Sequence, residues 1–202
     1  EELFPSIGCR FIALNDGIDT ARDGNNIMPF KNVYNELYSK DMSQRVRTAK
    51  HIRAKNGSYL AAYAPYGYEK KDRRLVIDET AAGVVRYIFR LRLEGKSCCK
   101  IAAILNEQQI IPPRDYYYQK RNKSNPRNVH HRWTDNSIAQ MLKNEVYIGN
   151  TVQYKTEAPS YKCRKQIQKK PEQWIRCDNT HEPIISREDW EAVQSLWKQT
   201  TA

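Results

Sequence analysis

Between Pro29 and Asn56 the sequence has no glycine, and its only proline stands at the very start, where a helix tolerates it. No other feature limits the fold as much: a stretch of that length without a breaker predicts one long helix over 29–57, stopped by Gly57. Val33, Leu37, Met42, Val46, Ala49 and Ile52 recur at spacings of three to five and draw an apolar stripe along it. At 1.5 Å per residue the helix would run roughly 40 Å. Its charge is lopsided, because Lys40, Arg45, Arg47, Lys50, Arg53 and Lys55 crowd the second half while Glu36 and Asp41 stand near the start. The stripe suits a partner helix, and the basic end suits an anionic partner.

Ahead of this helix, Gly8-Cys9-Arg10-Phe11-Ile12-Ala13-Leu14 is an apolar run short enough for a buried strand. Turn residues follow at Asn15-Asp16-Gly17 and Asp23-Gly24-Asn25-Asn26, so the run reads as the last strand of a sheet whose other strands lie upstream, beyond a truncated N-terminus. Asp16, Asp19 and Asp23 could hold a cation, but Asn, Asp and Gly together usually make turns. After the long helix come the Tyr63-Ala64-Pro65-Tyr66-Gly67-Tyr68 turn, a short strand at Leu75-Val76-Ile77, and a helix from the Asp78 cap to Glu94, closed by Gly95. Val84, Val85, Ile88, Phe89 and Leu93 give that helix one buried face. A second helix begins at Ser97 and turns Ile101, Ala102 and Leu105 inward. Residues 112–132 read as a loop. A third helix starts near Thr134, with Ile138, Met141 and Leu142 inward, and leads to a strand around 147–154. The final helix starts at Ser186, whose spacing to Asp189 resembles a capping box, and presents Trp190, Val193 and Trp197.

Composition narrows the function. The 34 Lys and Arg against 23 Asp and Glu give a net charge of +11 and a pI near 9.4, while 40% hydrophobic residues suffice for a core. No apolar run approaches the roughly 18 residues of a membrane span, and no signal peptide pattern opens the chain. Cys9, Cys98, Cys99, Cys163 and Cys177 form no C-x-x-C pair, which excludes a disulfide framework and a zinc ribbon within these residues and fits a reducing cytoplasm. His51, His130, His131 and His181 lack metalloprotease spacing, and there is neither a phosphate-binding glycine loop nor a nucleophile elbow. The expected metal and cofactor content of the chain is none.

The positive charge is concentrated in two places. Arg114, Lys120, Arg121, Lys123, Arg127 and Arg132 stand against Asp115 alone in 112–132, among Tyr116, Tyr117, Tyr118, His130 and His131. Lys162, Arg164, Lys165, Lys169, Lys170 and Arg176 stand against Glu172 alone in 160–176. Such loops either solvate freely or neutralise a phosphate backbone, releasing counterions. The helices from Ser97 and from Thr134 form a loose helix–turn–helix pattern, in which Thr134, Asn136, Ser137 and Gln140 would approach base edges in the major groove. A plain helical hairpin burying Ile138 and Leu142 is the alternative.

The order of motifs resembles one family. Gly8 to Thr20, then Pro29-Phe30-x-Asn32-x-x-Asn35-Glu36 with Asp41-x-Ser43-x-Arg45, and Pro65-Tyr66-Gly67-Tyr68 are similar to the join between catalytic and recombinase domains of large serine recombinases. The similarity continues through Asp78 to Gly95, Ile101-Ala102-x-x-Leu105-Asn106, Trp133-Thr134, Leu142-x-Asn144-x-x-Tyr147-Ile148-Gly149 and His181-Glu182-Pro183-Ile184-Ile185. Within that family the motifs look like those of recombinases of mobile elements such as conjugative transposons.

The resemblance implies an α+β, helix-rich fold in three parts. Residues 1–28 would be the remnant of a resolvase-like catalytic domain, 29–57 the connecting helix, and 58–202 a winged-helix-like DNA-binding domain. It also implies double-stranded DNA at attachment sites as partner, and self-association through the long helix into a dimer and, in synapsis, a tetramer. The family's serine nucleophile and zinc ribbon would lie outside the chain, which should not cut DNA alone. Arg45 aligns with a family arginine near the scissile phosphate, although Gln44 stands where many relatives carry Glu; Arg47, Lys50, Arg53 and Lys55 would continue along the backbone. Two other readings remain: a helix–turn–helix transcriptional regulator, disfavoured by the stray strand at Gly8–Leu14, and an RNA-binding module, disfavoured by the absence of an aromatic RNA-binding strand motif.

Overall fold

The computed structural model describes residues 7–10, 12–13, 18–19, 28–123, 131–163 and 165–200. They divide into two compact units, Glu1–His51 with Ala158–Lys165, and Ile52–Glu157 with Gln166–Ala202. Asp16, Asp23, Arg127, His130 and Arg164 lie outside the described residues.

In the first unit, β1 (Ile12–Ala13) pairs antiparallel with β2 (Ile18–Asp19), Ile12 facing Asp19. Of the run expected as a strand over Gly8–Leu14, Ile12–Ala13 are extended, and they pair with residues that follow in sequence. The helix α1 spans Met28–Lys55, within two residues of expectation, and ends on the cations Arg53 and Lys55, which suit the negative end of its dipole. Gly57 closes it at φ +75°, with its N–H donating to Ala54 O at 3.1 Å and that of Ser58 to Arg53 O at 3.0 Å. That double bond pattern satisfies two end carbonyls and requires a left-handed residue at the glycine.

The second unit holds the core. Strand β3 (Tyr68–Lys71) pairs with β4 (Arg74–Ile77) through a two-residue turn in which Asp72 and Arg73 take φ of 45° and 64°. Only β4 was legible: β3 is Tyr-Glu-Lys-Lys, too charged to read as a strand, and its turn lacks the usual glycine. Helix α2 (Glu79–Leu93) buries Val85, Ile88 and Phe89, and α3 (Cys98–Glu107) buries Ile101 and Leu105, its start capped by Ser97 Oγ accepting from Lys100 N.

Residues 112–132 are not all loop. Pro113–Lys120 form helix α4, with Pro112 as its cap and Pro113 at the first position, where a fixed φ favours the helix and no N–H is missed. Helix α5 (Asp135–Leu142) follows, burying Ile138, Met141 and Leu142. The strand expected over 147–154 is shorter. Glu145–Ile148 form a 3-10 turn ending at Gly149, φ +87°, and only Thr151–Gln153 form β5, paired with β8 (Ile175–Cys177). Gly149 takes a left-handed backbone, so the run leaves the extended conformation there, and it lies so near His181 O that an added Cβ would come within 2.8 Å of it. Strand β7 (Ile167–Gln168), inside the stretch read as basic loop, pairs with β6 (Thr156–Glu157) just ahead of that stretch. The closing helix α6 (Arg187–Thr200) packs on α2, and Ser186 Oγ accepts from Asp189 N as its spacing predicts. Phe89, Ile88, Ile101, Leu105, Ile138, Leu142, Val85 and Val193 are the largest fully buried side chains, so one core joins α2, α3, α5 and α6. The helix-rich α+β class and the long N-terminal helix are as the sequence indicates. No helix among the described residues is long and apolar enough to cross a membrane.

Candidate nucleic-acid interface

Helix α5 packs against α3, as both the helix–turn–helix pattern and a plain hairpin require, with α4 inserted between them in sequence. Its start is fixed by a reciprocal cap: Thr134 Oγ1 accepts from Ser137 N, and Ser137 Oγ accepts from Thr134 N at 3.1 Å while donating to Thr134 O at 2.7 Å. Those two hydroxyls, both expected to meet bases, are thereby engaged in holding the helix. Asn136 and Gln140 lie exposed one turn apart, the Gln140 amide 3.4 Å from Asn136 Oδ1, and Arg132 is exposed just ahead of the cap. The outward face therefore offers two carboxamides, each able to donate and accept at once, as an adenine edge requires.

Around α4 the basic residues differ in their freedom. Lys120 Nζ lies 2.7 Å from Asp78 Oδ2 and 3.5 Å from Glu69, and the Tyr116 hydroxyl donates to the same Asp78 oxygen at 2.8 Å. The Asp78 side chain is 10% exposed. Burial works against its charge, but the bonds from Lys120 and Tyr116 outweigh it and hold its carboxyl below the usual range; the Asp78 bond in turn raises Lys120. Lys120, expected at DNA, is thus bound into the fold, and it anchors α4 to the cap of α2. The Arg121 guanidinium lies 3.9 Å over the Tyr117 ring, while Arg114 and Lys123 are exposed.

On α1, Arg45 pairs with Asp41 at 2.8 Å, and Arg47 donates to Ala158 O at 3.1 Å. Lys50, Arg53 and Lys55 are exposed, with no side-chain bond among the described residues. In the second basic stretch Lys162 pairs with Glu36, Lys169 with Glu157 at 2.5 Å and Arg176 with Glu145 at 2.5 Å, which reduces the charge free for a ligand. Sequence reading missed Arg73 and Arg74. The β3–β4 turn sets them beside Lys55 along an open polar groove that Asp72 and Asp178 also line. Recognising the hairpin would have revealed them.

A cleft of about 170 Å³ between the Pro65–Tyr68 turn and α4 is lined by tyrosines, Glu69, Asp78 and lysines, without Ser, His or Cys. His181 Nε2 lies 2.7 Å from Val146 O and its Nδ1 2.8 Å from Thr180 Oγ1, and burial pushes its pKa below the usual imidazole value, a packed structural histidine. No group of three or more metal-ligating side chains stands together among the described residues.

A capped amphipathic helix with an exposed polar face on a shared core, with a β-hairpin before it and small sheets after it, makes a helix-rich α+β module. Residues 79–200 match the family described as Recombinase, and the chain belongs to that family. The resemblance to large serine recombinases in the sequence agrees with this match. Among solved structures, the chain is similar to one from work on the sequence requirements of the Listeria innocua prophage attP site, at 23% identity and a TM-score of 0.50 over 77% of this chain and 52% of that one. A crystal structure of an LSR–DNA complex matches at 23% identity and a TM-score of 0.46, over 78% of this chain and 38% of that one. The chain thus spans about half the length, or less, of these structures.

Proposed function

We propose that this chain is the DNA-binding part of a site-specific serine recombinase of a mobile element, recognising attachment-site DNA while a catalytic segment outside these residues supplies the serine that cuts and rejoins it. The observation that carries this reading is the exposed Asn136 and Gln140 pair on a capped helix, within residues that match the Recombinase family. In this reading α5 reads bases, whereas Lys50, Arg53 and Lys55 neutralise backbone phosphates. A covalent phosphoserine link would conserve the bond energy, so no cofactor is required within these residues. The exposed Phe30, Val33, Leu37, Met42 and Val46 on α1 support self-association of the parent protein through that helix. The working compartment would be the bacterial cytoplasm.

The regulator reading loses ground to the family match. The stray strand no longer separates the two, because Ile12–Ala13 has a local partner. The test is selection of bound sequences from a random duplex pool at fixed near-physiological salt, followed by titration of the enriched duplex and a random one. Replacing Asn136 with Ala should cost about 1–3 kcal/mol of discrimination at one base pair. Replacing Lys50 and Arg53 with Ala should weaken binding to every duplex and flatten its salt dependence. Equal loss on both duplexes for Asn136→Ala would refute the assignment of α5 as the reading helix.

A further inference from the structure

The reading helix has an unusual difficulty. Some 27 residues separate Asn106 from Trp133, so the turn that normally fixes the second helix against the first is replaced by an insertion containing α4. A helix that reads base edges needs its position held within a fraction of an ångström, and a long connection cannot do that by itself.

The two ends of the insertion are joined at the last turn of α3. Asn106, in the last turn of α3, donates from Nδ2 to Trp133 O and accepts at Oδ1 from Trp133 N, both at 2.9 Å. Both backbone hydrogen-bonding groups of one residue are thereby taken by a single amide, and that residue directly precedes the Thr134 cap. The Trp133 side chain is 3% exposed, donates from Nε1 to Ile110 O at 2.9 Å, and meets the edge of Tyr66 at 5.6 Å between centroids. Asp115 on α4 accepts from His131 N at 2.8 Å, tying the end of the insertion to its own helix. The insertion is thus closed off at its base, and the start of α5 is fixed to the end of α3 whatever the intervening residues do.

We infer that Asn106 is a positioning residue for sequence recognition: through Trp133 it sets where α5 presents Asn136 and Gln140, without touching DNA itself. This rests on the reading of α5 as the DNA-contacting helix. Alanine at 106 removes both bonds. Aspartate keeps an acceptor for Trp133 N but offers no donor, and sets a carboxylate against Trp133 O, so it cannot rebuild the clamp.

The test compares affinity for the duplex most enriched by the wild-type chain with affinity for a random duplex, well below each variant's melting temperature. Asn106→Ala and Asn106→Asp should each lower the ratio of the two affinities about tenfold, chiefly by weakening binding to the enriched duplex. Amide exchange at Trp133 should quicken while the amides of Phe89 and Ile101 stay protected. Gln108→Ala, which removes only a bond to the Tyr87 hydroxyl at the same helix end, should leave the ratio unchanged. If Asn106→Ala does not fold, Asn106→Asp alone decides. An unchanged ratio with a freely exchanging Trp133 amide would overturn the proposal, as would equal loss on both duplexes, which marks mere destabilisation. The control Asn136→Ala separates the two levels: if it relaxes preference and the Asn106 variants do not, the clamp is wrong and the reading helix stands. If the wild type shows no preference, both fail.

Discussion

Helices α1 and α2 are both recognisable in sequence from apolar residues at helical spacing, yet they differ in what they do with them. In α2, Val85, Ile88 and Phe89 are at most 1% exposed. In α1, Val33, Leu37, Met42, Val46 and Ile52 remain between 44% and 59% exposed. Periodicity therefore shows that a face is apolar, not what covers it. The first helix leaves its stripe and the cations Lys50, Arg53 and Lys55 exposed. The second spends the same residue types on a core that holds α5 in place.

Removing a core side chain should separate the two regions most widely. Phe89→Ala should cost about 3–5 kcal/mol in urea unfolding, because the cavity cannot collapse among α2, α3 and α6. Val46→Ala should cost less than about 0.5 kcal/mol in the dilute monomer. A large loss from Val46→Ala would mean that the α1 stripe is already covered.

Adding a methyl sharpens the contrast. Gly149→Ala meets His181 O at 2.8 Å in a left-handed backbone and should cost about 1–3 kcal/mol, read as a lower melting temperature.

Acid should act on the packed unit through His181. Its native pKa lies below the unfolded value because burial disfavours the cation, an effect the Val146 carbonyl only partly offsets. The unfolded chain therefore takes up the proton first, so stability is whole above about pH 6.5 and falls as the pH drops through and below it. Urea midpoints from pH 8 to pH 5 should show that slope, and His181→Gln should flatten it. The smallest effect belongs to α1: losing the exposed Arg45 pair in Asp41→Ala should change helix stability by no more than about 0.5 kcal/mol, seen in amide exchange along the helix.

Much of this was legible where a local rule decides the outcome. Ser97, Thr134 and Ser186 cap their helices as their sequences require, and Gly57 and Gly95 stop theirs. What escaped was decided across distance. Strand β3 has no apolar pattern of its own and exists because β4 pairs with it. Helix α4 has few strong helix formers and is held by Asp78, 38 residues from Tyr116 in sequence. The candidate site divides the same way. That Asn136 and Gln140 face outward follows from helix spacing, whereas the engagement of Lys120 with Asp78 and of Arg47 with a distant carbonyl does not. Nor could spacing show that one amide, Asn106, joins α3 to the start of α5.

The most direct test of α5 as the base-reading helix is dimethyl sulfate footprinting on the enriched duplex with the wild-type chain and with Asn136→Ala and Gln140→Ala. With α5 in the major groove, guanine N7 positions within the site are protected, and each substitution restores methylation next to the base pair whose preference it relaxes. Uniform reactivity at guanine N7, with protection confined to adenine N3 in the minor groove, would contradict it.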